Sequence, residues 1–158
     1  MTIEPIDPQN DEALLALNND HAEELSFLTQ QEFRRMADEA FCALRVGEGD
    51  ALLLAFDQEG DYQSPNFLWF KTRYPRFVYV DRIVVSPNAR GRGLARLLYE
   101  ELFRRAGEAG HERICCEVNA EPPNPASDAF HAALGFEEVG QAAIHDGKKT
   151  VRYFVRPL

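Results

Sequence analysis

The chain has 158 residues, of which 45% are apolar and 27% charged, and its formal net charge is −9. That length suits one ordinary domain with its own core, and the composition is that of a soluble globular protein. Net acidity argues against a general nucleic-acid binder, which needs a basic face to displace counterions, but it leaves room for a local basic site.

Met1-Thr2-Ile3-Glu4-Pro5 leads into acids rather than an apolar run, which predicts no secretory leader. Thr2 to Ile6 reads as a short edge strand stopped by Pro8. Ala13, Leu14 and Leu17 fall at helical spacing over Asp11 to Asn18. Phe27, Phe33, Met36 and Ala37 repeat the pattern over Ser26 to Ala37. Between these helices Asn18, Asn19, Asp20 and His21 form a polar cluster, read either as a helix-linking turn or as a grip on a small polar amine. Ala40 to Val46 and Ala51 to Phe56 are strand-like, and Gly47-Glu48-Gly49-Asp50 between them predicts a hairpin. "DQEGDYQSPN" then reads as a loop. Tyr62 to Tyr74 lies between strands, yet Phe67, Trp69, Phe70 and Tyr74 are costly to expose. That stretch either lines a pocket with Asn66 and the early helices or folds down on the core.

Arg76 to Val85 is the longest β-branched and aromatic run and predicts a central strand. Leu94, Leu97, Leu98 and Leu102 make one apolar face of a helix reaching Ala109, where Gly110 ends it. His111 and His145 look like surface turn residues. Arg113 to Val118 is a buried strand. Alternation puts Cys115 and Glu117 on one face and Cys116 and Val118 on the other. The odd set of cysteines, Cys42, Cys115 and Cys116, points to core residues in a reducing compartment. Asn124 to Leu134 is a helix, with Asn124 as N-cap, Pro125 at its first position and Asp128 near its positive end. Phe136 to Ile144 and Thr150 to Val155 are two strands joined across Asp146-Gly147. The order β-α-α-β-β-β-α-β-α-β-β predicts one mixed α/β domain over residues 1–158. No apolar run approaches the roughly 20 residues of a membrane span. No His/Cys cluster has metal-ligand spacing. A cytoplasmic protein without a metal, a membrane or a nucleic-acid partner is expected.

The chemical signal is "SPNARGRGLARLLYEELFRRA", Ser86 to Ala106. A strand, a glycine loop and a helix in succession make an anion site, because the first helical amides lack intrahelical partners and lie at the positive end of the dipole. Gly91 and Gly93 let the backbone approach a phosphate, and Arg90, Arg92 and Arg96 add charge. The Walker Gly-Lys-Ser/Thr ending is absent, and Arg96 holds the place of the third dinucleotide-fingerprint glycine.

Arg90-Gly91-Arg92-Gly93-Leu94-Ala95 resembles the acyl-CoA pyrophosphate loop of the GNAT N-acetyltransferase superfamily, R/Q-x-x-G-x-G/A, with Arg90, Gly93 and Ala95 in matching places. "RIVVSP" resembles that family's fourth strand, and "NPASDAFHAALGFEEVG" resembles its late block through Asn124, Ser127, Gly135 and Phe136. "YQSPNFLWF", "YVDRIVV" and "EVNAEPPNPASDAFHAALGF" resemble a bacterial branch known mainly as predicted acetyltransferases.

The resemblance implies a mostly antiparallel sheet of about seven strands with flanking helices, splayed between the fourth and fifth strands. It implies that Ile83 and Val85 offer backbone groups to the pantetheine, and that Arg90 to Ala95 hold the pyrophosphate. Asn124 and Ser127 belong to the same cofactor block. Acetyl-CoA is then the co-substrate, a small or amino-acid-like primary amine the acceptor, and a homodimer is admitted. Many relatives carry a proton-donating tyrosine seven residues past the Asn; here that place is His131. His131 is therefore the expected donor and Asp81 the expected base, with Glu117 the second candidate. A non-catalytic acyl-CoA sensor on the same scaffold is the alternative, motivated by the missing tyrosine.

Overall fold

The computed structural model describes residues 2–7, 11–22 and 25–158. Met1 and Pro8, which the sequence reading touches, lie outside the described residues.

Seven strands form one sheet: β1 (Ile3–Pro5), β2 (Cys42–Val46), β3 (Ala51–Asp57), β4 (Val78–Val85), β5 (Arg113–Asn119), β6 (Glu137–Ile144) and β7 (Lys149–Pro157). Their spatial order is β1-β2-β3-β4-β5-β7-β6. Every neighbouring pair is antiparallel except β4 and β5. The helices are α1 (Glu12–Asp20), α2 (Gln30–Glu39), α3 (Pro65–Lys71), α4 (Leu94–Glu108) and α5 (Pro125–Ala133), with a 3-10 turn at Pro87–Ala89.

Both faces of the sheet centre are covered, so β3 is buried from Ala51 to Phe56 with no polar side. On one face Leu94, Leu98, Tyr99, Leu102 and Ala106 of α4 pack against Leu44, Leu53, Val78 and Cys116. On the other, Leu14 and Leu17 of α1 and Phe33 of α2 cover Leu52, Leu54 and Val84. Phe67 and Phe70 of α3 cover Tyr79, Cys115 and Tyr153 on that same face.

Four sequence expectations are corrected. The stretch after β3 is not loop throughout: Pro65–Lys71 is a helix, with Pro65 in its first turn and Phe67 and Phe70 fully buried. The second helix starts at Gln30, not Ser26, because Thr29 closes a reciprocal capping box with Glu32. His111 is buried rather than a surface turn residue. Its N–H closes the end of α4 on the Ala106 carbonyl, and its ring stands edge-on to Phe41. Leu97 is only half-buried, and Tyr99 takes its share of the α4 core face.

Candidate active site

The site begins where two strands part. β4 and β5 pair only at Val78 with Ile114 and Tyr79 with Cys115, and beyond those residues the facing edges diverge. A bulge on β4 sits at the fork: Leu54 faces Arg82 and Ala55 faces Val80, leaving Asp81 without a partner on β3. Such a bulge adds local twist and re-aims the side chains that follow. Tyr79 and Val84 accordingly share one face, while Val78, Val80, Ile83 and Val85 share the other.

A cavity of about 370 Å³ fills the gap. Tyr62, Tyr79, Asp81, Arg82, Glu117 and Lys149 line one wall, and Tyr99, Cys116, Ser127 and His131 the other. Glu117 accepts a hydrogen bond from the Tyr79 hydroxyl at 2.7 Å. Its half-buried side chain keeps surface toward the cavity, while protein encloses its carboxyl elsewhere. Burial pushes that carboxyl up to about 7; the Tyr79 hydrogen bond opposes the shift, the Asp81 charge adds to it and the Lys149 charge subtracts. At neutral pH this group is half ionised and can take a proton.

Asp81 is differently placed. The Arg82 Nε donates to its Oδ2 at 2.6 Å, the Tyr62 hydroxyl donates to its Oδ1, and its side chain is 5% exposed. Arg82 is anchored in turn, donating to Asn18 Oδ1 at 2.8 Å and to Ser26 Oγ at 3.4 Å. Asn18 and Asn19 also clamp the backbone of Ser26 and Leu28, so among its described residues the early polar cluster ties α1 to the start of α2.

His131 donates from Nδ1 to the Ser127 carbonyl at 2.8 Å, so the neutral ring presents Nε2 as an acceptor. Burial lowers its pKa, against the upward pull of the Ser127 hydrogen bond and the Asp128 charge. The Tyr99 hydroxyl stands 3.5 Å from that Nε2. Tyr99 is held protonated, its pKa raised well above the ordinary range by burial first and by Cys116 and Glu117 next. Tyr99 is not among the residues the sequence singles out, because the family pattern places its tyrosine on the helix after β5 and Tyr99 stands on α4. Its spacing from Leu102 on α4 was the available signal.

The anion loop adjoins this gap. Val85, Ala89, Arg90, Gly91, Gly93, Leu94, Ala95, Arg96 and Phe130 line a hollow of about 230 Å³. Gly91 and Gly93 have φ of +80° and +72°, and a Cβ on either would point into open space. Gly93 occupies the N-cap of α4 with no side-chain cap. The amide of Leu97 closes the first turn of α4 on the Gly93 carbonyl, so the amides of Leu94, Ala95 and Arg96 before it have no intrahelical partner. Arg92 is exposed beside them. An extended acyl thioester with a diphosphate at one end fits this arrangement: open amides for the diphosphate, and the unpaired edge of β4 through Ile83 and Val85 for the arm. Asn124 caps α5, its Oδ1 accepting from the Ser127 amide at 3.1 Å, while Ser127 Oγ lies 3.3 Å from His131 Nδ1.

The model of the acetyltransferase (GNAT) family matches residues 54–136, the span that holds the fork, the loop and α5. The chain belongs to this family. An L-2,4-diaminobutyric acid acetyltransferase of Wolinella succinogenes is 26% identical over 84 residues, which is 53% of this chain and 49% of that protein. One from Nocardia farcinica is 36% identical over 66 residues, 42% of this chain and 33% of that protein. The chain thus spans half or less of the curated relatives it matches. The fold of this GNAT chain is also that of a ribosomal-protein-alanine N-acetyltransferase from Brucella melitensis, at a TM-score of 0.74 and 23% identity over 100% of both chains. A Salmonella typhimurium protein, yncA, solved with acetyl-CoA, superposes with a TM-score of 0.70 at 19% identity over 99% of this chain and 93% of that one.

Proposed function

We propose that this GNAT protein moves an acetyl group from acetyl-CoA to the primary amine of a small, amino-acid-like acceptor by direct attack. The observation that carries the reading is Glu117, a carboxylate poised near neutrality inside the gap between β4 and β5. The relatives named for 2,4-diaminobutyrate support an acceptor of this kind.

Acetyl-CoA supplies the activated thioester. Transfer forms an amide C–N bond and breaks the thioester C–S bond, and the ammonium gives up two protons, one before attack to a base and one after it that balances the proton taken by the leaving thiolate. Glu117 takes the first, directly or through one water. Asp81, locked to Arg82 and Tyr62, holds the wall and adds negative potential that draws an ammonium inward. Tyr99 turns its hydroxyl hydrogen, which rests toward Nε2 of His131, to the departing sulfur. Ile83 and Val85 present backbone groups to the arm, and Arg90, Gly91, Arg92, Gly93, Leu94 and Ala95 hold the diphosphate. Asn124 and Ser127 build the start of α5 beside it. The sensor alternative rested on an absent tyrosine; Tyr99 reaches the same cavity from another helix and removes that motive.

The test is acetyl-CoA turnover, followed with a thiol-detecting reagent across a panel of primary amines. Acetylated product from at least one small amine supports the reading. Protein whose melting temperature rises with CoA, yet which acetylates no amine in the panel, contradicts it.

A further inference from the structure

Lys149 opens β7 just after the last hairpin and lines the same cavity as Glu117. Its charge is felt at Glu117, whose proton affinity it lowers. Among the described residues its ammonium makes no hydrogen bond and no ion pair. The other cationic side chain of this cavity, Arg82, is committed to Asp81, Asn18 and Ser26. The cavity therefore has a bare ammonium toward one end and a proton-accepting carboxylate deeper in. A zwitterion, carboxylate outward and amine inward, complements that pair.

Spacing narrows the class. Glu117 is the register partner of Tyr153, and Lys149 lies four residues away along β7. That separation is roughly 13 Å of strand. The lysine stem shortens the gap without closing it, since no ion pair forms between the two. An α-amino acid, with both groups on one carbon, spans less of that gap than a diamino or ω-amino acid does.

We propose that the acceptor carries a carboxylate several bonds from its reacting amine, as an ω-amino or diamino acid does, and that Lys149 holds this carboxylate while Glu117 faces the amine. The proposal rests on the acetyl-transfer reading above and adds the residue that selects the substrate.

The experiment compares 2,4-diaminobutyrate with 1,3-diaminopropane, which has the same amines and no carboxylate, and with alanine. Binding to the CoA-loaded protein is measured by calorimetry and turnover with acetyl-CoA. Both are run above pH 8, where Glu117 is ionised in every variant. The wild type binds and acetylates diaminobutyrate best. Lys149→Met weakens diaminobutyrate, in Kd and in KM, by about fivefold, the upper end for one exposed ion pair at about 1 kcal/mol. The variant leaves diaminopropane unchanged, and Lys149→Arg restores diaminobutyrate. Equal losses for both amines, no loss for either, or alanine as the preferred acceptor would overturn the assignment. Lys149-dependent binding of diaminobutyrate without turnover upholds the carboxylate site and defeats the acetyl-transfer reading instead.

Discussion

Glu117 and His111 both have their proton affinity shifted by burial, and each shift is a statement about stability. The raised carboxyl of Glu117 means the folded chain holds its proton more tightly than the unfolded chain does. That favours the fold below the ordinary carboxyl range and penalises it increasingly up to about pH 7. The full penalty is on the order of 2 to 3 kcal/mol. Glu117→Gln should therefore raise the melting temperature at pH 8 by about 5 °C, and the gain should vanish near pH 4 when followed by circular dichroism. The sign reverses for His111, whose pKa burial lowers. Its Nδ1 is buried without a hydrogen-bond partner among the described residues, and Nε2 stands 3.6 Å from Asp57. Its contribution is intact above the ordinary histidine pKa and is lost as pH falls below it. His111→Phe should flatten that part of the stability profile. At the reacting sulfur, Tyr99→Phe keeps the packed ring and loses the hydroxyl. It should lower kcat by about 10²-fold, within the usual range for a general acid–base group, while CoA binding measured by calorimetry stays unchanged.

The element of greatest consequence is the loop that enters α4. "ARGRGLA" was legible as a glycine turn into a helix because its signals are local: left-handed glycines and an uncapped helix start within a few residues. Gly93→Asp puts a carboxylate against the diphosphate and a side chain at φ +72°, a conformation costing roughly 1 to 2 kcal/mol for a residue with a Cβ. The thermal shift produced by CoA should disappear while the fold survives. Helix α3 was not legible by periodicity, because Phe67, Leu68, Trp69 and Phe70 run together and offer no polar stripe. The signal that marked it was Pro65 in its first turn, after Ser64. Trp69 fixes α3 to the sheet by stacking on Tyr153 with centroids 4.1 Å apart and by lying over Gly140. A Cβ at Gly140 would fall 2.6 Å from the indole. Gly140→Ala should thus displace the ring, costing about 1 to 3 kcal/mol in chemical denaturation.

Across the whole molecule, the succession of elements followed from short-range patterns, such as alternation in β5, the hairpin at Asp146-Gly147 and the capped α5, while the splayed sheet with flanking helices was what the family resemblance implied. The roles inside the gap did not follow from such patterns, because they depend on contacts between residues far apart in sequence. Asp81 stands on the central strand, yet Tyr62 and Arg82 occupy its oxygens. Tyr99 and His131 meet from helices 32 positions apart. Glu117 owes its raised proton affinity first to burial, with Asp81 adding to it and Tyr79 and Lys149 opposing it, groups that β4 and β7 bring to it. Acid–base work at the splayed strands is the claim on which the functional account stands. It is tested most directly by the pH dependence of kcat/KM for amine acetylation in the wild type and in Glu117→Gln. The wild type should show a limb rising through about pH 7, the proton affinity of Glu117, and the variant should lose that limb together with most of its rate. A variant that keeps both the limb and the rate would contradict the account.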